Sequence, residues 1–291
     1  MKVALFGHSG YIGTALYNKL SAQYKVTGIS RSLTGVGREI SLDITSEDSF
    51  SKLDCNFDSV VICSAQLPTS NYTAEYFKSL VEVNIQGVQN IMTWLKGTTV
   101  RKVIFCSTLA VIDDGVFEKG EVSEDTLVFN TSRHYPYTMS KLAGEQIINA
   151  VCSQMSIGYN ILRLSSVYGS KMTEQGVVLN FYKKTLENKS IDISNAQYNA
   201  DFIHIENVVN SIETCLNIDT YNGVINIASG QPITLLELAQ VCKTVNRSTS
   251  QIEILNTKKV PLKKYNNSLM KRLLGVENII ELKEGIKSIE V

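Results

Sequence analysis

The sequence predicts a doubly wound parallel α/β sheet, and three observations carry that prediction. A short apolar run, Lys2 to Phe6, meets glycines at positions 7, 10 and 13 and then a helical run over residues 14–20. Continuous apolar stretches at residues 59–63 and 101–106 read as strands covered on both faces, as parallel sheets require. Such stretches alternate with helical segments along the first half of the chain, the pattern of a sheet with helices on both sides.

Each element follows in order. The strand–turn–helix at the start suits a dinucleotide, because glycines permit the tight turn, the close approach of backbone N–H groups to a pyrophosphate, and helix–strand packing. That assigns Gly7, Ser9, Gly10, Tyr11, Ile12 and Gly13 to cofactor binding. Residues 24–30 read as the second strand, and its end meets the adenosine ribose. An acid there favours NAD, whereas a basic residue accommodates the 2′-phosphate of NADP. The sequence has Ser30-Arg31-Ser32, which predicts NADP, with NAD as the alternative.

Residues 39–42 form a third short strand leading into Asp43 and Ile44, where a carboxylate can meet the adenine amino group. After the strand at 59–63, the small residues Ser64 and Ala65 let backbone lie against the cofactor. One long helix is expected over residues 73–96, then the strand at 101–106 ending in Ser107-Thr108. Residues 113–134 are polar and aperiodic, and read as a long loop of the kind that serves as a lid or binding segment. A helix opens at Tyr137 and runs through Ala150, and residues 160–165 are the sixth strand. Shorter mixed elements at 177–188, 201–216, 223–227 and 235–245 suggest a small C-terminal lobe. The expected domains are therefore 1–165, binding the dinucleotide, and 166–291, an interleaved substrate lobe.

Composition excludes several function classes. The chain has 291 residues with 28 basic and 28 acidic side chains, so no nucleic-acid footprint is expected. No apolar run approaches the ~20 residues that cross a bilayer, and with the first strand entered at once no signal peptide is expected. Cysteines 55, 63, 106, 152, 215 and 242 make no C-x-x-C pair and read as reduced thiols of a cytoplasmic protein. His8, His134 and His204 make no ligand pattern, so no metal is expected.

Tyr137 and Lys141 stand four apart at a helix start and share one face. A lysine ammonium one turn away favours the phenolate, which makes the tyrosine a proton donor or acceptor for a carbinol oxygen. Thr108, following a buried strand, places a hydroxyl where it can polarise the same oxygen.

With these residues in view, the chain resembles the extended short-chain dehydrogenase/reductases, the Rossmann-type family of nucleotide-sugar epimerases, dehydratases and reductases. The resemblance rests on Gly7/Gly10/Gly13, Asp43-Ile44, Ser107-Thr108 and Tyr137/Lys141. It extends through Arg163 to Gly169 (R-L-S-S-V-Y-G), Asp201 to Ile205 (D-F-I-H-I) and Gly223 to Gly230 (G-V-I-N-I-A-S-G). It implies catalytic roles for Thr108, Tyr137 and Lys141, and a helix asparagine, Asn84, ordering a proton-relay water. It also implies a nucleotide-sugar substrate, a place in polysaccharide biosynthesis, and a homodimer formed through the helices at 73–96 and 135–150.

Departures from the family pattern narrow the chemistry. Leu109-Ala110 stand where 4,6-dehydratases carry Asp-Glu and where decarboxylases need a glutamate. Ser170-Lys171 follow the V-Y-G turn where double epimerases carry a histidine, and Ala200 precedes Asp201 where many relatives have arginine. Ser165-Ser166 replace a common asparagine, which leaves Lys258, Lys259, Lys263 and Lys264 as phosphate candidates. The expected activity is NADPH-dependent reduction of a nucleotide-activated 4-keto-6-deoxy sugar, with hydride to C4 and a proton from Tyr137. The alternatives are a nucleotide-sugar 4-epimerase holding NAD tightly, or a reductase of a small ketone or aldehyde.

Overall fold

The computed structural model describes residues 1–69, 71–126, 135–172 and 176–290. Strands β1 (Lys2–Phe6), β2 (Lys25–Ser30), β3 (Glu39–Ser41), β4 (Ser59–Ile62), β5 (Lys102–Thr108) and β6 (Gly158–Leu164) come first. They are followed by β7 (Ser166–Tyr168), β8 (Ile191–Ile193), β9 (Asn199–Ala200), β10 (Phe202–His204), β11 (Gly223–Ile227), β12 (Ile233–Thr234) and β13 (Ile252–Ile254). Seven of these make one sheet in the order β11-β6-β5-β4-β1-β2-β3, the Rossmann-type doubly wound α/β arrangement. The β1–β2, β1–β4, β2–β3 and β4–β5 pairs are parallel. Strand order reverses on either side of β1, so the crevice beyond β1 and β4 is the switch point where such sheets hold ligands.

Contacts divide the chain into two units, and each takes segments from both halves of the sequence. The first comprises Met1–Asp113, Leu127–Arg163 and Val209–Ile225; the second comprises Asp114–Thr126, Leu164–Val208 and Asn226–Val291.

In the first unit, helices α1 (Tyr11–Leu20), α2 (Ala74–Leu80), α3 (Gly87–Trp94) and α4 (Tyr135–Met155) accompany the sheet. Val88, Ile91, Met92 and Leu95 recur at helical spacing and bury against Phe6, Ile62 and Phe105 of the sheet, joined by Ile148 and Cys152 of α4. The helix expected over 73–96 is not one rod. Thr73 caps α2 by accepting from Tyr76 N at 3.2 Å, and a π-helical turn over Val81–Gln86 separates α2 from α3. Its cause is tertiary: the Asn84 side chain inside that turn is held by partners from two other segments, and such bulges concentrate at functional sites.

In the second unit, α5 (Val177–Leu186), α6 (Ile205–Cys215), α7 (Leu235–Val245), α8 (Ser268–Leu274) and α9 (Leu282–Lys287) complete the helices, α6 continuing into the first unit at Val209. A core of Tyr168, Leu179, Phe181, Ile191, Phe202, Leu238, Cys242 and Ile286 holds this unit. Thr234 and Glu237 form a reciprocal capping box that starts α7. Of the loop expected over 113–134, residues 127–134 lie outside the described residues. The described part carries a 3₁₀ helix at Asp114–Lys119 and a bridge from Val122 to Tyr265. No described helix is long and apolar enough to cross a membrane.

Candidate active site

The glycine loop is built from three different demands. Gly7 has φ +82°, and a Cβ there would lie 2.5 Å from Ser64 N. An added Cβ at Gly13 would lie 2.0 Å from Gly7 O, so helix and turn touch backbone to backbone. Gly10 is different, since its Cβ would meet only Gly7 O, at 3.4 Å. The protein's own packing does not require a glycine there, and the space above it is what a pyrophosphate would fill. Gly10 also starts α1 with no side-chain cap, and Thr14 N is bonded to Gly10 O at 2.8 Å. The amides of Ile12 and Gly13 precede that bond and face out of the helix N-terminus, with Ser9 and Tyr11 beside them. Across the switch point Ser64 Oγ is buried without a partner among the described residues, and Ala65 follows it. These residues fit a dinucleotide.

The ends of β2 and β3 are shaped by a buried histidine. His8 Nε2 lies 2.7 Å from Glu39 Oε1, and its Nδ1 lies 3.0 Å from Ser30 Oγ. The ring covers Gly28, where a Cβ would come within 2.6 Å of it. Glu39 also accepts from the amides of Thr34 and Gly35 and from the Thr34 hydroxyl, and these bonds hold its carboxyl down at about 2. Ser30, the last residue of β2, is spent on His8 and on Ser32 O, and Arg31 beyond it is exposed. Asp43 uses Oδ1 to accept from Thr45 N and Oγ1, and the neighbouring Ile44 is buried against Gly87.

Further along the sheet edge, Thr108 ends β5. Its Oγ1 accepts from Ala110 N at 3.1 Å, which leaves the O–H to donate. Helix α4 packs along the same strand. Gly144 is the reason it can come so close, since a Cβ there would lie 2.9 Å from the Phe105 ring. Lys141 is buried with Nζ 4.1 Å from the Phe105 ring centroid. Burial pulls its pKa down from 10.5 to about 8, partly offset by the nearby Cys106, Glu145 and Cys63. One turn earlier, Tyr137 is buried beside Tyr76 and Leu80 of α2.

Asn84 links these parts. Its amide donates to Gln66 O at 3.0 Å and to Ser140 Oγ at 2.8 Å, while Oδ1 accepts from Gln66 N at 2.7 Å. Both amide hydrogens are thus committed to protein partners. The side chain ties the segment after β4 to α4, at the residue just before Lys141.

A second buried network stands behind the trio. Ser107 Oγ donates to Glu145 Oε1 at 2.5 Å, and Arg163 Nη2 reaches Glu145 Oε2 at 2.7 Å. Gln66, Ser140 and Glu145 were missed by sequence reasoning, although Glu145 follows Lys141 at the same i,i+4 spacing that links Lys141 to Tyr137.

In the second unit two of the four candidate lysines are paired, and Asp201 is occupied. Asp201 accepts from Ser229 N, Ser229 Oγ and Gly230 N at 2.8–2.9 Å, and Ala200 pairs with Ile233. Lys263 pairs with Asp114 at 2.7 Å, and Lys264 with Glu121 at 3.5 Å. Those two lysines are thereby neutralised; Lys258 and Lys259 are exposed. His204 accepts at Nδ1 from Glu206 N, its Nε2 lies 3.0 Å from Ser288 Oγ, and burial pushes its pKa down. Among the described residues no three His, Cys, Asp or Glu side chains gather as a metal site, and His134 lies outside them.

Known proteins share the fold. A putative UDP-glucose 4-epimerase of Methanocaldococcus jannaschii is 26% identical over 300 residues, covering 99% of this chain and 96% of that protein. A UDP-glucuronic acid 4-epimerase of Bacillus cereus, solved with UDP-glucuronic acid and NAD, superposes with TM-score 0.84 at 22% identity, covering 99% and 97% of the two chains. The UDP-glucose 4-epimerase of Thermotoga maritima, solved with UDP-glucose, gives 0.85 at 22% identity, covering 99% and 96%. At these identities the two structures establish the fold. The family model matches residues 3–228, from the first strand through β11, and the chain is an enzyme of the NAD dependent epimerase/dehydratase family.

Proposed function

We propose that this enzyme moves a hydride to or from C4 of a nucleotide-activated hexose. The observation that carries the reading is Lys141, buried on the Phe105 ring one turn from Tyr137, with Thr108 ending the strand beside it. A bound nicotinamide dinucleotide supplies or accepts the hydride. Tyr137 passes the proton at the C4 oxygen, and the Thr108 hydroxyl donates to that oxygen. Lys141 keeps a positive charge beside Tyr137 and reaches the nicotinamide ribose. Asn84 positions α4 through Ser140 rather than touching the reacting atoms. Gly7, Gly10, Gly13 and the α1 amides hold the pyrophosphate, with Ser64, Ala65, Asp43 and Ile44 lining the rest.

The finer reading is one-way reduction of a 4-keto-6-deoxy sugar with NADPH. Ser30 and Arg31 stand where an acid would favour NAD, and the adjacent carboxylate, Glu39, is already committed to His8, Thr34 and Gly35. Arg31 is left exposed for a 2′-phosphate. Leu109-Ala110 after Thr108 supply neither acid nor base for elimination. A second reading, 4-epimerisation with retained NAD, uses the same residues and is favoured by the named relatives. Cofactor content of the purified protein, followed by fluorescence titration with NADPH and NADH, separates the two. Free exchange with an NADPH preference supports the reductase, and tightly retained NAD supports the epimerase.

A homodimer through α2 and α4 belongs to the same proposal. Phe77 on α2 with Val81 in the turn after it, and Tyr135 and Met139 on α4, are 39–54% exposed. Six free thiols suit a reducing, cytoplasmic setting.

A further inference from the structure

We propose that Cys63 and Cys106 form a dithiol site that a peroxide closes to a disulfide, switching the enzyme off beside its own catalytic lysine. The two sulfurs lie 3.5 Å apart. Strands β4 and β5 run parallel with Val60 opposite Val103, Val61 opposite Ile104 and Ile62 opposite Phe105. Cys63 and Cys106 are the next pair in that register. Neighbouring strands lie about 4.8 Å apart, inside the ~4.4–6.8 Å Cα separation that a disulfide bridges. In-register neighbours also project to the same face, so the Cβ vectors are matched.

The surroundings select this pair among the six cysteines. Burial pushes Cys152, Cys215 and Cys242 up to about 12, which leaves them inert thiols. Either sulfur can donate in the contact between them, and the Lys141 charge beside the pair favours a thiolate on both. One sulfur of the pair is therefore the attacking thiolate and the other the resolving thiol. Cys63 is half-buried, next to Ser64 just beyond β4, so the pair is not sealed from solvent. Cys55 is exposed, but it has no such partner in the pair's geometry.

The chemistry balances with hydrogen peroxide as the oxidant. A thiolate of the pair attacks one peroxide oxygen, the O–O bond breaks, and a proton from solvent completes the first water, leaving a sulfenic acid. The other sulfur then displaces the sulfenic oxygen as the second water, with the S–S bond formed and two electrons passed to peroxide. Closing 3.5 Å to about 2.05 Å turns the two side chains toward each other and staples the ends of β4 and β5. Those ends lead directly into Ser64-Ala65 and Ser107-Thr108, so the link sits between the cofactor edge and the Thr108 hydroxyl. The thiolate that supports the Lys141 cation is lost in the same step.

The test is graded peroxide treatment of the full-length enzyme, followed by non-reducing peptide mass spectrometry, thiol counting and activity. A peptide linking positions 63 and 106 should appear as activity falls at least ~10-fold, with two thiols lost per chain and recovery on adding dithiothreitol. Cys63→Ser and Cys106→Ser should each abolish the linked peptide and the dithiothreitol-reversible component, each read against its own untreated rate. Activity lost with oxidation confined to Cys55, or lost before the linked peptide forms, would overturn the proposal. The linked peptide and thiol count are independent of the substrate, so a wrong functional reading and a wrong dithiol site give different results. The wild-type measurement stands by itself if either variant fails to fold.

Discussion

Ser107 Oγ and Glu145 Oε1 lie 2.5 Å apart, which fastens the residue before Thr108 to the residue one turn after Lys141. Arg163 completes the clamp from β6 through Nε and Nη2. All three side chains are buried, and Arg163 Nη1 has no partner among the described residues. The clamp therefore sets where a strand end and a helix face meet, and its charge helps keep Lys141 protonated. Glu145→Gln leaves a buried guanidinium without its counter-charge and should cost about 3–5 kcal/mol in denaturant unfolding. It should also lower the pKa of Lys141. Lys141 carries its charge below about 8 and loses it as pH rises, so the alkaline limb of kcat should move to lower pH in the variant. An unmoved limb would separate the clamp from Lys141.

Tyr137→Phe removes only the hydroxyl from a side chain packed against Tyr76 and Leu80. Turnover should fall by about 10²–10⁴-fold, the usual weight of a positioned proton donor. Cofactor affinity, read by fluorescence titration, should stay where it was. Surviving turnover would remove Tyr137 from the proton path.

The two glycines flanking the start of α1 should respond differently. Gly13→Ala places a methyl 2.0 Å from Gly7 O and should destabilise the fold by about 3 kcal/mol or more. Gly10→Ala meets only Gly7 O, at 3.4 Å, and should keep its melting temperature. Its cofactor affinity should drop at least ~10-fold, about 1.4 kcal/mol, because the methyl enters the pyrophosphate space. Melting curves with and without cofactor distinguish the two effects.

Acid should weaken the first unit around β2 and β3. Glu39 titrates near 4.5 when unfolded and at about 2 in the fold, so its contribution is complete above 4.5 and disappears as pH falls toward 2. Glu39→Gln should flatten the stability–pH profile in that window. Unchanged steepness there would mean that the bonds from Thr34, Gly35 and His8 do not favour the carboxylate.

Local pattern sufficed for the parts whose cause is local. Lys2 to Phe6 with its glycines reads as strand, turn and helix because apolar run, tight turn and helix start are sequential. The 101–106 run likewise announces a buried strand, which the structure extends to Thr108. Where tertiary partners decide, pattern fails. The break at Val81–Gln86 is invisible in the apolar spacing of residues 73–96, since it depends on Gln66 and Ser140 holding Asn84. Lys263 and Lys264 look like free phosphate ligands until Asp114 and Glu121, more than a hundred residues earlier, are seen to neutralise them. The Cys63–Cys106 pair required knowing that β4 and β5 are neighbours and in which register.

The most direct measurement of the central claim follows an isotope. NADPH carrying deuterium on its transferable position would be incubated with a nucleotide-activated 4-keto-6-deoxy sugar and the purified enzyme. The prediction is one deuterium at C4 of the product for each NADPH consumed, with label transfer abolished by Tyr137→Phe. Turnover without consumption of cofactor, and with no label at C4, would contradict net reduction by NADPH. Interconversion of a nucleotide hexose and its C4 epimer under those conditions would put the retained-NAD epimerase in its place.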